Sequence, residues 1–424
     1  MTVLPTSLLP DGAVVSDDGR LSIAGCDVLD LAAEYGTPLF VYDEDHLRRR
    51  CREAVAAFGS GVAYATKAFL CTAMARLAFE EGMHLDVATG GELHVALAAG
   101  VPAERLVLHG NNKSTAELRR ALEVGVGRVV VDSTDELDRI EALVAEGLPI
   151  PRVLLRINPG IEAHTHEYLR TGAADSKFGF SIVGGAAGGA VERARASSAM
   201  EFVGIHAHIG SQVFVVESFE RAVGVLAGFV RPLGIEELSL GGGLGVPYVE
   251  GETAPTITEW AASVHAACTA NGIDARITAE PGRAIVAGGA LTLYTVGTIK
   301  EIPGVRTYVS VDGGMSDNPR PVLYGSGYEA FMPRATAAVR DREVRVVGKH
   351  CESGDVIVWR ARVPGDLAVG DVLATPVTGA YGHSMGSNYN MVLRPPVVFA
   401  RDGSARLVVR RETFDDLLSR DLGA

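Results

Sequence analysis

The chain has few cysteines, no excess of positive charge and no long apolar run. Its five cysteines, Cys26, Cys51, Cys71, Cys268 and Cys351, are odd in number and form no CxxC pair. That argues against a disulfide framework or a zinc site and fits a reducing compartment. The formal net charge is −13, which argues against a broad nucleic-acid surface. A helix needs roughly 20 apolar residues to span a bilayer, and the sequence has no such run. Residues 1–11 lack a basic segment followed by a long apolar core, so no secretory signal is expected. These absences lead us to expect a soluble cytoplasmic protein without metal, membrane or nucleic-acid partners. Low-complexity linkers and solenoid repeats are also missing.

The 424 residues, 47% of them hydrophobic, can build a large globular core. At roughly 100–200 residues per domain, about two domains are expected. Between Val62 and Arg283, short apolar runs alternate with amphipathic segments. The strand candidates are 62–67, 84–88, 105–109, 128–132, 152–158, 202–208, 237–240 and 276–280. Polar starts such as Ser114-Thr115-Ala116-Glu117 and Thr134-Asp135-Glu136-Leu137 suit helix N-termini, where a side-chain oxygen accepts from free amides. Eight β-α repeats predict an α/β fold, a parallel (β/α)8 TIM-type barrel; a doubly wound open sheet is the competing architecture. After Arg283 the texture turns β-rich, with strand candidates at 291–299, 307–311, 343–347, 356–362 and 405–410 and a short helix at 413–422. Turns such as Asp312-Gly313-Gly314 and Pro364-Gly365-Asp366 separate them. We expect a barrel over residues 38–285 and a β-rich domain from residues 1–37 plus 286–424.

In such a barrel the active site lies at the C-terminal ends of the strands. The polar residues there are Lys67, Asp86, His109, Asp132, Asn158, His206, His208 and Glu280. Each alone could be a solvated strand end, and for His109 or Asp132 alone that is the simpler reading. Lys67 alone would more often be paired to a carboxylate. A desolvated lysine, however, is a nucleophile toward carbonyls. Gly241-Gly242-Gly243 follows the seventh strand and lets backbone amides approach a phosphate, although glycine runs also make plain turns. Glu280, in Glu280-Pro281-Gly282-Arg283, could keep a pyridine nitrogen protonated or simply pair with Arg283. His208 could stack on a ring or be a core histidine. Lysine, flat aromatic, glycine run and carboxylate together are what lysine-bound pyridoxal phosphate requires.

Several runs carry a family resemblance. They are Tyr64-Ala65-Thr66-Lys67-Ala68-Phe69, Leu85-Asp86-Val87-Ala88-Thr89-Gly90-Gly91-Glu92, His109-Gly110-Asn111-Asn112-Lys113, Lys177-Phe178-Gly179 and His208-Ile209-Gly210-Ser211-Gln212. Others follow in Asp312-Gly313-Gly314-Met315-Ser316-Asp317-Asn318, Cys351-Glu352-Ser353-Gly354-Asp355 and Gly379-Ala380-Tyr381. Over almost its whole length the chain resembles the diaminopimelate decarboxylases, in the alanine racemase and ornithine decarboxylase group of pyridoxal phosphate enzymes. The Cys-Glu-Ser-Gly-Asp run discriminates best; the glycine run and Glu-Pro-Gly-Arg are shared across the wider group.

The resemblance implies that Lys67 carries the cofactor, His208 stacks on its ring and Glu280 meets the pyridine nitrogen. It implies cofactor binding by Asp86, Ser211, Gly242, Gly243, Gly282, Arg283 and Tyr381 as well. Arg283, Arg320, Tyr324, Glu352 and Tyr381 would bind substrate. Cys351, as proton donor, and Glu352, toward the substrate ammonium, would enter from the partner subunit of a head-to-tail homodimer with shared active sites. Arg320, between Pro319 and Pro321, could instead brace a loop, and Cys351 could be an inert thiol. The expected reaction is decarboxylation of a small diamino acid, meso-2,6-diaminopimelate, to L-lysine and carbon dioxide, the last step of lysine biosynthesis. The alternative is a related pyridoxal phosphate amino-acid decarboxylase of a secondary pathway. A racemase fits less well with a strong electron sink at Glu280. A cofactor-carrier protein would need neither the β-rich domain nor Cys351-Glu352.

Overall fold

The structure, a computed structural model, describes residues 5–160 and 176–423. The first four residues of the N-terminal stretch therefore lie outside the described residues. Contacts divide the chain into one unit of residues 50–246 and 254–284 and another of 1–49, 247–253 and 285–424.

The first unit is the barrel. Its parallel strands are Ala63–Ala65, His84–Val87, Leu106–Leu108, Arg128–Val131, Arg152–Asn158, Glu201–His206, Glu237–Ser239 and Arg276–Thr278, and each pairs with the next in chain order. Ala63 N donates to Ala279 O at 3.0 Å and Ala65 N to Pro281 O at 3.2 Å, which ties the last strand back to the first. A consecutive order with closure is a barrel; a doubly wound sheet would reverse its order and leave two edges. Ala63, Val107, Val130, Leu154 and Val203, from five of the strands, form one buried cluster inside it. Inward side chains of alternate size filling a closed sheet are the usual core of this fold.

The connecting helices start where polar residues cap them. Ser114 and Glu117 form a reciprocal capping box on helix Thr115–Val124, and the Ser133 side chain caps Thr134–Ala145. At the N-terminal ends of the strands, Glu237 accepts from Arg128 Nε at 2.7 Å and also pairs with Arg276. The buried Glu237 and Arg128 and the exposed Arg276 sit at the end opposite the barrel mouth.

The second unit is a sheet in the order Val356–Val363, Arg342–Val347, Arg306–Val311, Ala290–Ile302, Leu39–Asp43, Val397–Arg401 and Ser404–Val409, with Val372–Pro376 also paired to Ala290–Ile302. The 13-residue strand Ala290–Ile302 joins the two halves: its start pairs with 39–42 and 372–376, its end with 306–311. Its register shifts between Val296 and Thr298, at Gly297, and a shift there lets one strand bend between two surfaces. Residues 39–43, which follow the expected boundary at 37/38, are a central strand of this unit. A small sheet of Ala13–Val15, Leu21–Ile23 and Cys26–Asp27 precedes them.

Candidate functional site

The barrel mouth gathers the polar residues that end the strands. Strand 1 ends at Ala65, and Lys67 lies in a short 3-10 turn, Thr66–Ala68. The expectation that the strand runs through Lys67 is thus corrected. The Thr66 hydroxyl donates to Asp86 O at 2.8 Å, which pulls the chain out of the ladder. Lys67 is exposed while its neighbours Thr66 and Ala68 are buried. The turn therefore presents a single amine at the mouth.

The floor of the site is a carboxylate held by histidines. Glu280 is 7% exposed. His206 Nε2 lies 2.9 Å from its Oε2, and the Ser239 hydroxyl donates to Oε1 at 3.0 Å. His109 Nε2 is 3.2 Å from Oε1 and 3.8 Å from Asp86 Oδ1. Burial alone would raise the Glu280 carboxyl, but His109 and His206 outweigh it and hold the group well below the usual carboxylate range. Asp86 moves the other way, raised by burial against the pull of His109. His206 is pushed down to about 4, mainly by burial, with Glu280 opposing. Glu280 is thus held as a buried anion, a state that needs partners to persist.

Above it, His208 Nδ1 accepts from Gly242 N at 3.1 Å, which fixes the ring's orientation and requires a neutral imidazole. Burial, then the Lys67 ammonium, keep this ring's pKa well below the usual histidine value. The glycine turn is forced by close approach. A Cβ on Gly241, whose φ is +64°, would lie 2.6 Å from His208 Nδ1; one on Gly242 or Gly243 would strike the carbonyl of Glu280 or Gly210. Gly282 is similarly close to Ala65, with its Cβ position 2.9 Å from the carbonyl oxygen. Arg283 Nη2 donates to the Ser211 hydroxyl at 2.9 Å, so a guanidinium and a hydroxyl flank the glycine-lined turn. Within the barrel unit the structure brings together Lys67, Asp86, His208, Ser211, Gly242, Gly243, Glu280, Gly282 and Arg283. A single amine, an orientable flat ring, an ionised carboxylate and a glycine turn with an arginine fit pyridoxal phosphate as a donor set.

Sequence reasoning named His109 and His206 as strand ends but did not see that both serve Glu280. It missed Arg156, buried on strand 5, whose Nη1 lies 3.7 Å from Asp132 and whose guanidinium carbon is 4.2 Å from the Phe178 ring centre. Gly179 N donates to Asp132 Oδ1 at 2.7 Å. The Lys-Phe-Gly run thereby docks onto the barrel, a signal that its spacing from Asp132 and Arg156 does not carry.

The remaining candidates lie in the β-rich unit. Arg320 is 3% exposed. Its guanidinium carbon is 4.1 Å from the Tyr248 ring centre, and its Nη1 donates to the Tyr328 hydroxyl at 2.6 Å. Tyr324 closes the short helix Arg320–Tyr324 and is half-buried. Tyr248 and Tyr328, which sequence reasoning missed, are thus the tyrosines that hold Arg320. Cys351 and Glu352 are both exposed; Cys351 N donates to Asn390 Oδ1 at 3.0 Å, and Gly354 N donates to Glu352 Oε1 at 3.1 Å. Tyr381 adopts φ +59°, a backbone state uncommon outside glycine and concentrated at functional positions.

The family described as pyridoxal-dependent decarboxylase, pyridoxal binding domain, matches residues 44–287. The diaminopimelate decarboxylase of Mycobacterium tuberculosis is 48% identical over 440 residues, covering 99% of this chain and 98% of the relative. That of Bacillus subtilis is 46% identical, covering 95% of each. Among solved structures, diaminopimelate decarboxylase from M. jannaschii in complex with L-lysine superposes with a TM-score of 0.90 at 33% identity, covering 98% of both chains.

Proposed function

The chain belongs to the diaminopimelate decarboxylase family of pyridoxal-dependent decarboxylases, and on that basis we propose how its residues divide the work of removing one carboxylate from diaminopimelate. The enzyme decarboxylates meso-2,6-diaminopimelate with pyridoxal phosphate as cofactor and yields L-lysine. Among the described residues, no helix is long and apolar enough to cross a membrane.

Pyridoxal phosphate, when bound, supplies a conjugated electron sink next to the substrate's α-carbon. Lys67 Nζ anchors it covalently; the exposure of that one amine among buried neighbours supports this role. His208, its imidazole oriented by Gly242 N, would stack on the cofactor ring. Glu280 would meet the ring nitrogen as an anion and favour its protonated form. Asp86 adds a second buried acid, facing the same His109 nitrogen as Glu280. Gly242, Gly243, Gly282, Ser211 and Arg283 of the barrel would hold the phosphate, a role we also assign to Tyr381.

The retained end of diaminopimelate is a zwitterion. Its carboxylate calls for rigid cationic forks, which we assign to Arg283 and Arg320 with Tyr324 and Tyr381. Its ammonium calls for an acceptor, Glu352. Cys351 Sγ delivers the proton that replaces the departing carbon dioxide. Cys351 and Glu352 are exposed on the β-rich unit, which suits donation to a partner's site in a head-to-tail homodimer acting in the cytoplasm.

The observation that carries the barrel assignment is the ionised, buried Glu280 bracketed by histidines beneath a mouth that presents Lys67. The decisive experiment assays purified protein with pyridoxal phosphate against a panel of diamino acids, reading carbon dioxide release and product chirality. Wild type should show the visible band of a lysine-bound cofactor and convert diaminopimelate to L-lysine; Lys67→Ala should lose both. A band unchanged in Lys67→Ala sinks the anchor assignment. Lysine or ornithine turned over as well as diaminopimelate favours the secondary-pathway alternative.

A further inference from the structure

Glu280 has two histidine neighbours, and they are not equivalent. His206 meets Oε2 alone, at 2.9 Å. His109 faces two acids with the same nitrogen, Glu280 Oε1 at 3.2 Å and Asp86 Oδ1 at 3.8 Å. The contact to Glu280 has an ion-pair separation without an aligned hydrogen bond. The two rings meet edge to face, 4.9 Å between centroids. All four groups are buried. At such separations and low dielectric, a charge on His109 acts strongly on Glu280.

We propose that His109 is a positioning residue whose fixed positive charge lowers the proton affinity of Glu280, so that the proton shared between Glu280 and the cofactor's ring nitrogen stays on the nitrogen. This rests on the reading that a pyridine nitrogen sits over Glu280.

The supporting chemistry is consistent. Burial opposes a charged His109, but Asp86 and Glu280 together outweigh it and raise its pKa. His206 cannot take over, because burial keeps it neutral near physiological pH. Arg156 also acts on His109, disfavouring its charge, while Lys67 acts on Asp86. Without the charge on His109, Glu280 would be a buried carboxylate with only neutral donors, His206 and Ser239. Burial would then favour its protonated form. The proton would move from ring nitrogen to carboxyl, and a ring without that proton is a weaker electron sink.

The test uses holoenzyme with 15N in the cofactor ring. His109→Gln keeps a polar side chain of similar reach but cannot carry charge. The expected result is a ring-nitrogen resonance shifted from the protonated toward the unprotonated range. The kcat should fall roughly 10- to 100-fold, less than removal of a direct donor costs, with KM changed less than about 3-fold. A variant that binds cofactor through Lys67 yet keeps the ring nitrogen protonated overturns the proposal. If the variant fails to take up cofactor, 15N-histidine spectra of the wild-type holoenzyme decide: His109 should stay doubly protonated at pH 8, and a neutral His109 overturns the proposal. Absence of the Lys67-dependent band in wild type would instead overturn the cofactor reading, and this proposal with it.

Discussion

Arg320, which we propose as a substrate-binding cation, is buried and held by uncharged groups. A guanidinium at 3% exposure would be costly without partners. Here the Tyr248 face and the Tyr328 hydroxyl hold it, and neither carries a charge that would satisfy it. A substrate carboxylate would therefore meet an arginine already desolvated and oriented. Arg320→Ala should lower kcat/KM for diaminopimelate by on the order of 2–5 kcal/mol and narrow its advantage over lysine, leaving the cofactor band in place. Specificity constants for both substrates check this; an unchanged ratio removes Arg320 from the distal site. A second buried group bears on stability. Burial pushes the Asp317 carboxyl up to about 7, against the Tyr294 hydroxyl that donates to it at 2.6 Å. An acid whose folded value is raised holds its proton in the native state and loses it on unfolding. Its stabilising share is complete below the unfolded value, about 4, and declines as pH rises toward 7. Asp317→Asn mimics the protonated form, so its denaturation midpoint should fall less than that of wild type between pH 5 and pH 8. Equal slopes would show that Asp317 does not titrate in this window.

Elements decide where these side chains go, and here the sequence is readable to different depths. Strand 5 is legible end to end: Arg152–Asn158 is a mostly apolar, largely β-branched and leucine run with no glycine or proline inside it. Strand 1 is not, because the Thr66 hydroxyl takes Asp86 O and ends the ladder two residues early. That is a cross-strand event with no local signature. Val397–Arg401 and Val372–Pro376 were missed as strands. The first follows Pro395-Pro396, which reads as loop, and the second is short and ends in Ala374-Thr375-Pro376, yet both are largely buried in the sheet. Glu280 was found from its Pro-Gly-Arg neighbours; its histidines could not be, since their pairing depends on barrel closure. The loops of the β-rich unit are locked in the same non-local way. Asp355 accepts from Met315 N at 2.7 Å and His350 N at 2.9 Å, while His350 Nε2 lies 2.9 Å from the Ser316 hydroxyl. One carboxylate thus clamps the segment before Arg320 to the turn bearing Cys351 and Glu352. Asp355→Ala leaves those amides unpaired, at roughly 1–3 kcal/mol each. It should lower kcat/KM well beyond any change in the Lys67 band. Loss of the band in parallel with activity would show general unfolding rather than loop release.

At the scale of the whole molecule, the residues of the proposed site divide between two units: Lys67, Glu280 and Arg283 belong to the barrel, and Arg320, Cys351 and Glu352 to the β-rich unit. Cys351 and Glu352 are exposed, and their turn is held by Cys351 N donating to the Asn390 side-chain oxygen and Gly354 N donating to Glu352 Oε1. A preorganised exposed pair of this kind suits delivery to another subunit. An isologous dimer would then build two sites, each with Lys67 from one chain and Glu352 from the other. This arrangement has a consequence that a self-contained site lacks. Lys67→Ala and Glu352→Ala homodimers should each be inactive. Mixing them with subunit exchange gives hybrids in which one site carries both substitutions and the other carries neither. Random exchange makes about half of the dimers hybrid, so about a quarter of wild-type activity should return. The measurement is carbon dioxide release from diaminopimelate before and after exchange, with native mass spectrometry to count hybrids. If hybrids form and no activity returns, Glu352 acts in its own subunit's site or not at all. If activity appears without hybrids, one of the two variants was not truly inactive, and the single-variant baseline exposes that directly.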